Sequence, residues 1–329
     1  MNEKSLKVLE QYEIQVTGTR RGRGSYICET NMGKKLLADY AGSEKKLAFV
    51  NQVLEELRRQ GYPFTDIVMA NNEGNLISKD WEENGYILKD WYEGKECDTR
   101  NTVDMEYAVQ MLAELHQKMV FLPEEGVEIQ NYTGEHLLEE LQRHNRELRK
   151  IYAFVKKRQR KNEFEVQFLN CFPMFYEQAQ EAEKRAAASG YEQLRKENLR
   201  KGCLCHGSYH QHNIYFLGRR QIFVSNFEKC RYDVQAADLY QFLRKMMEKQ
   251  DFDPRVGELL LESYDRIRHL NKDEWDYIAV RMYYPEKFWK LANQYYNRGK
   301  VWIPWKSAGK LETLIRQQNQ RNDFLKTLE

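Results

Sequence analysis

Apolar and polar residues alternate with a period of two in several short runs of the first 95 residues, which predicts strands. The runs are residues 12–16, 25–30 and 35–40, with a basic, glycine-containing turn over 17–24 and a second turn at Asn31-Met32-Gly33. One segment breaks the alternation. Leu47, Val50, Leu54 and Leu57 recur at three- and four-residue spacing, so residues 43–59 read as a helix with one apolar face. Ser43 suits its N-cap, and Gly61 followed by Pro63 suits its end. Strands resume near 67–70, 76–79 and 85–91. The order of three strands, a helix and more strands predicts an α+β unit with a small antiparallel sheet.

Beyond residue 95 the spacing is mostly helical. Ala108, Met111, Leu112 and Leu115 line one side of 103–119, where the lone His116 reads as packed and structural. From Thr133 onward Leu137, Leu141, Leu148, Ile151 and Val155 repeat, with His144 at the seam. Phe164, Phe168, Cys171, Phe175, Ala179, Ala182 and Ala186 follow. These two patterns predict an antiparallel helical pair joined near Lys161-Asn162. The period then shortens. A polar loop over 206–213 feeds strands at 214–217 and 221–225, with Gly218-Arg219-Arg220 between them. Residues 233–248 and much of 255–329 return to helix, with an aromatic segment at 283–305.

Composition narrows the possibilities. Aromatics at 13% argue against disorder, and 52 basic against 50 acidic residues leave only +2 of charge, which gives no general attraction to nucleic acid. The basic cluster at 156–161 has no interleaved aromatics and reads as a solvated helix end. No apolar run is long enough for a transmembrane helix, and the charged first ten residues do not resemble a signal peptide. The six cysteines are scattered, so free buried thiols are expected.

Candidate chemistry concentrates in residues 203–228. Cys203, Cys205, His206, His210 and His212 are dense enough to consider zinc. Adjacent residues on a strand face opposite ways, however, so no metal site is expected there. The Gly-x-Gly of the 17–24 turn reads as an exposed hairpin rather than a phosphate cradle.

The stretch HGSYHQHNIYF with the later VSNFE resembles the catalytic and metal-binding segment of aminoglycoside-phosphotransferase-like kinases, whose pattern is H-G-D-x-x-x-x-N followed by D-F-[DE]. His206, Gly207 and Asn213 match. Ser208 stands where that family has its catalytic Asp, and Asn226 where it has a metal-binding Asp. Aligned on L-K-x-Y-x-G-S-E, the phosphate-holding lysine falls on Ala38, with Lys34 and Lys35 upstream. The segments YAGSEKKL, DWYEGKEC and YYPEKFWKLANQYYNRGKVWIPW resemble CotS-type spore coat proteins over nearly the whole chain.

The resemblance implies a bilobal, protein-kinase-like α+β fold, with a small antiparallel-sheet lobe at 1–94 and a mostly helical lobe at 95–329. The helical pair is then an insertion at about 133–200. It also implies a place in the spore coat among other coat proteins, and a structural brace at Asp238. Phosphoryl transfer is mostly positioning and charge neutralisation. A serine cannot act as general base near neutral pH, and losing a positioned base costs roughly 10²–10⁴ in rate. Neutral amides at Asn213 and Asn226 leave Glu228 as the one nearby carboxylate for magnesium. No catalytic residue, metal or cofactor is therefore expected, and the chain is expected to be a pseudokinase with a structural or assembly role. The alternatives are a small-molecule kinase using Mg-ATP with Glu228 and a shifted lysine such as Lys35, or a ligand-binding protein without chemistry.

Overall fold

The alternation of the first third becomes a six-stranded antiparallel sheet. Its strands are β1 (Val16–Arg21), β2 (Ser25–Thr30), β3 (Gly33–Asp39), β4 (Val68–Met69), β5 (Ser78–Lys79) and β6 (Gly85–Asp90). The order is β1-β2-β3-β6-β4, and β5 also pairs with β6. Helix α1 (Glu44–Arg59) lies between β3 and β4 in the chain, with the Ser43 hydroxyl accepting from the Lys46 amide at its start. This computed structural model describes residues 3–122, 128–218, 220–297 and 304–328. Arg219 of the expected 218–220 turn, and 298–303 of the aromatic segment, lie outside the described residues.

Contacts divide the chain into two compact units, Met1–Val120 with Leu204–Cys230, and Phe121–Cys203 with Arg231–Glu329. Residue 94, expected as a lobe boundary, lies within the first of them.

The two faces of the sheet in the first unit have separate cores. Tyr86 and Leu88 of β6 pack with Val8, Leu9, Tyr12, Tyr26, Cys28 and Leu37. Ile87, between them in sequence, packs instead with Leu47 of α1 and Val68. This is the period-two rule at work, and it decides where every side chain of β6 points. One expectation needs correction. The basic run expected as a turn over 17–24 is largely strand, because β1 is an edge whose exposed residues need no apolar alternation. Tyr12, expected in a strand, instead follows a 3-10 helix (Glu3–Gln11) into the core. The turn contracts to Gly22–Gly24, where Gly24 has φ of +69°.

The first unit is completed by β7 (Lys95–Glu96), α2 (Thr102–Lys118), β8 (Leu204–Cys205) and the hairpin β9 (Ile214–Gly218) and β10 (Gln221–Val224). β7 adds to the hairpin in the order β10-β9-β7.

In the second unit α3 (Leu137–Lys157) and α4 (Glu163–Ala188) form the expected antiparallel pair. Arg158 meets Glu165, Tyr152 stacks on Phe172, and Asn145 donates to the Ala179 carbonyl, contacts that advance along one helix as they retreat along the other. Asn162 and Glu165 make a reciprocal capping box at the start of α4. Helix α3 begins later than Thr133, which lies in extended backbone bridged to Tyr232. The pattern from Thr133 to Leu137 is too polar to bury a first turn. Helix α5 (Tyr191–Lys201), strand β11 (Arg231–Tyr232) and helices α6 (Ala236–Lys249), α7 (Pro254–Asp265), α8 (Lys272–Tyr283), α9 (Glu286–Asn297), α10 (Pro304–Arg316) and α11 (Gln318–Lys326) follow. Asp238 is buried at the start of α6. Phe288 of α9 stacks on Phe168 and Phe175 of α4, tying these helices into one core.

Gly202 ends α5 with φ of +74°, and a Cβ there would stand 2.5 Å from the Phe121 carbonyl oxygen and 2.6 Å from its carbon. Both the left-handed backbone and the backbone clash oppose a side chain. Gly202→Ala is expected to destabilise by about 2–4 kcal/mol in urea unfolding. A loss below about 0.5 kcal/mol would contradict this packing.

Candidate functional site

The polar loop between β8 and β9 is held from several sides. His206 is fully buried; its Nε2–H donates to the Ser225 carbonyl at 3.0 Å, and its Nδ1 accepts the Ser208 amide at 3.0 Å. Those two bonds fix one neutral tautomer. Gly207, with φ of +75°, makes the turn between His206 and Ser208. Tyr209 is buried and donates to the Ala108 carbonyl of α2 at 2.6 Å. Tyr62, just past α1, donates to the Ile222 carbonyl and accepts the Val224 amide, which pins β10. The loop and hairpin are thus rigid supports for the polar side chains they carry.

Those side chains form a continuous hydrogen-bond chain. Asn213 Nδ2 donates to the Ser208 carbonyl at 2.9 Å, and Asn213 Oδ1 accepts from Asn226 Nδ2 at 2.8 Å. Asn226 Oδ1 in turn accepts from Lys89 Nζ at 2.7 Å. The Lys89 ammonium also contacts Glu228 Oε1 at 2.5 Å and Asp66 Oδ2 at 2.9 Å. The Asn226 amide donates to Asp66 Oδ2 at 2.7 Å, and Asn226 sits in left-handed backbone, φ of +67°, which aims its amide inward. The side chains of Lys89 and Asp66 are 1% and 2% exposed and that of Glu228 26%, so the ammonium is removed from water and held by three oxygens.

Sequence reasoning did not find Lys89 or Asp66. The sheet register explains Lys89. Ala38 pairs with Ile87, and Leu36 pairs with Lys89. Directly paired residues share a face, so Lys89 projects from the same face as Ala38, one step of the pleat away and on the neighbouring strand. The usable signal was a lysine in step with Ile87, directly after the apolar run Tyr86 to Leu88 of the same strand. Lys35 has the opposite parity. It lies on the face of Leu37, opposite to that of Lys89, and pairs with Asp90 at 2.6 Å. Lys34 binds Glu93 and Glu29.

The charges settle as a coupled set. Burial alone would lower the Lys89 pKa, but Asp66 and Glu228 outweigh it and raise it, so the ammonium stays protonated. Burial also opposes ionisation of Glu228, yet Lys89 holds its carboxyl below the usual range. Asp66 is pushed up to about 6, chiefly by burial and then by the Glu228 charge, against the pull of Lys89. Its Oδ1 is buried without a hydrogen-bond partner.

A family model described as "Spore coat putative kinase YutH" matches residues 5–328. The chain belongs to this spore coat family. It is 22% identical over 324 residues to spore coat protein S of Bacillus subtilis (strain 168), covering 96% of this chain and 89% of that protein. Among solved structures it is similar to an aminoglycoside phosphotransferase from Alicyclobacillus acidocaldarius, with a TM-score of 0.84 at 15% identity, covering 98% and 94% of the two chains. It is also similar to spectinomycin phosphotransferase APH(9)-Ia in complex with ADP and spectinomycin, with a TM-score of 0.72 at 12% identity, covering 100% and 98%. The kinase-like α+β fold expected from the sequence is therefore present, and so is membership in a CotS-like family. That membership supports a spore coat role and location. Among the described residues, no helix is long and apolar enough to cross a membrane.

The donor set around Asn213, Asn226 and Glu228 does not fit the magnesium ion that phosphoryl transfer from ATP calls for. Two of the oxygens at the matched positions already accept from protein donors: Asn213 Oδ1 from Asn226, and Asn226 Oδ1 from Lys89. The remaining carboxylate, Glu228, is neutralised by the same ammonium. A divalent ion here would meet a fixed positive charge and neutral amides, whereas magnesium binds through one or two free carboxylates.

The candidate zinc ligand His212 has ordinary partners. His212 is 2.5 Å from Glu96 and also meets Gln211. Among the described residues, one metal-like grouping emerges elsewhere, in the second unit: Glu140, His144 and Glu286, with ligand atoms within 4.8 Å of one another. Each carboxylate already has a cationic partner on one oxygen, although Glu286 Oε2 is buried without a hydrogen-bond partner. Arg281 holds Glu140 at 2.8 Å, and Lys290 holds Glu286 at 2.9 Å. Arg244 adds further positive charge, and His144 stacks on Trp289. This is a buried ion-pair cluster rather than a cation site.

Proposed function

We propose that this chain is a non-catalytic kinase-like protein, a structural or assembly component of the spore coat. The observation that carries the reading is Ser208. The surrounding frame of His206, Asn213 and the hairpin is hydrogen-bonded in place, and the residue it presents has a neutral hydroxyl where phosphoryl transfer needs a carboxylate. Its partners are then other coat proteins, as family membership supports, and Mg-ATP is not its cofactor.

The test is turnover. Purified protein with labelled ATP, magnesium and a panel of amino- and hydroxyl-bearing acceptors is expected to release no phosphate above a no-protein control. Its thermal midpoint should not move with Mg-ATP. Metal-dependent turnover that disappears in Glu228→Gln would overturn the reading in favour of an active kinase. A metabolite that raises the midpoint saturably without turnover would favour a ligand-binding protein instead.

A further inference from the structure

The molecule places one fully buried ammonium where its fold relatives would gather oxygens around a metal ion. That placement rests on Asn226 standing where the resemblance puts a metal-binding Asp, with Glu228 two residues on, as in the non-catalytic reading above. We propose that Lys89 is a tethered cation that stands in for the metal, and that it keeps a latent divalent-cation site closed.

Three hard oxygens surround its Nζ: Glu228 Oε1 at 2.5 Å, Asn226 Oδ1 at 2.7 Å and Asp66 Oδ2 at 2.9 Å. Asn226 and Glu228 share one short turn, and Asp66 comes from the segment before β4, 160 residues away, held to that turn by the Asn226 amide. The ammonium is the one positive charge all three oxygens contact. A fourth oxygen, Asp66 Oδ1, is buried with no partner, an unusual state for a carboxylate oxygen and one that a cation or a metal-bound water satisfies. Removing the ammonium leaves two carboxylates, an amide oxygen and a space. That is the ligand chemistry of calcium, manganese or magnesium. The cage radius also discriminates. Oxygens 2.5–2.9 Å from the centre must contract by about half an ångström to reach magnesium, but scarcely at all to reach calcium, whose bonds are about 2.3–2.6 Å.

The same reasoning says why Ala38 is tolerated. A lysine on β3 at that position would project onto the same face as Lys89 and bring a second ammonium towards the same cluster. One cation neutralises the oxygens, and a second would repel it.

The experiment is manganese binding followed by electron paramagnetic resonance of the free ion, on wild type, Lys89→Ala and the double variant Lys89→Ala/Glu228→Gln. Wild type is expected to bind no manganese at this site. Lys89→Ala is expected to bind one ion per chain, with a Kd on the order of 10⁻⁴–10⁻³ M. The double variant should lose it again. Calcium should raise the thermal midpoint of Lys89→Ala and leave wild type unchanged, with magnesium less effective than calcium.

A folded Lys89→Ala that binds no manganese overturns the proposal. If that variant does not fold even with calcium present, Asn226→Asp in the otherwise wild-type chain decides. With Lys89 still in place it should bind no manganese, and a bound ion there overturns the proposal. Either result leaves the turnover test untouched, so failure here and failure of the non-catalytic reading are separable.

Discussion

Lys89→Ala, in EDTA at pH 8, is expected to lose about 3–5 kcal/mol of stability, the usual cost of stranding a buried charge by deleting its partner. That is a large fraction of the 5–15 kcal/mol typical of a whole domain. The affected groups are Glu228 and Asp66, both left without their counter-ion beside the Asn226 amide. The pH dependence has a definite sign. Without the ammonium, both carboxyls have folded pKa values raised above their unfolded ones. A raised carboxyl stabilises the fold below its unfolded pKa, and this is lost as pH rises through the folded value. The gap between variant and wild type should therefore narrow at pH 5, where the carboxyls take up protons. Urea midpoints at the two pH values measure this. Lys79→Ala, which breaks the exposed pair with Glu83, is the control and should cost less than about 1 kcal/mol. An equally small loss for Lys89→Ala would show that the ammonium is not buried as described.

Glu286→Gln is the second large effect, in the other compact unit. Glu286 is 6% exposed and begins α9. Burial raises its pKa, but Lys290, Arg281, Arg244 and His144 together bring it down to about 2 from 4.5. A shift of that size corresponds to about 3 kcal/mol at neutral pH. Because the folded value is depressed, the contribution is present above pH 4.5 and is lost as pH falls from 4.5 towards 2. The stability difference between wild type and Glu286→Gln should be about 3 kcal/mol at pH 7 and less than half of that at pH 3. A difference that holds constant between these two pH values would mean that Glu286 matters through packing and not through its charge.

Much of this was legible in the sequence because it is local. The apolar spacing of α1, α2, α3 and α4 gave helices within a few residues of those observed. The loop and hairpin over 206–228 form one continuous stretch, so the frame of His206, Asn213 and Asn226 could be read directly. β1 was not legible. An edge strand exposed on most of its positions has no alternation to detect, and its arginines look like a turn. Helix α5 is too polar to announce itself by apolar spacing. Lys89 was missed for a deeper reason. The substitution at Ala38 and the lysine on β6 belong to different strands, and only the register Ala38–Ile87 and Leu36–Lys89 puts them on one face. A motif scan compares like positions along a chain, whereas a charge can be replaced from the side, across a sheet. Asp66 lies in the same gap: its role is fixed by the Asn226 amide, 160 residues away.

Crystals of the protein soaked with manganese and a non-hydrolysable ATP analogue, measured at the manganese absorption edge, would test the central claim most directly. We expect no anomalous peak among Asp66, Asn226 and Glu228, with Lys89 Nζ still within 3 Å of all three. An anomalous peak there, bridging Glu228 and an ordered triphosphate with Lys89 swung aside, would contradict it.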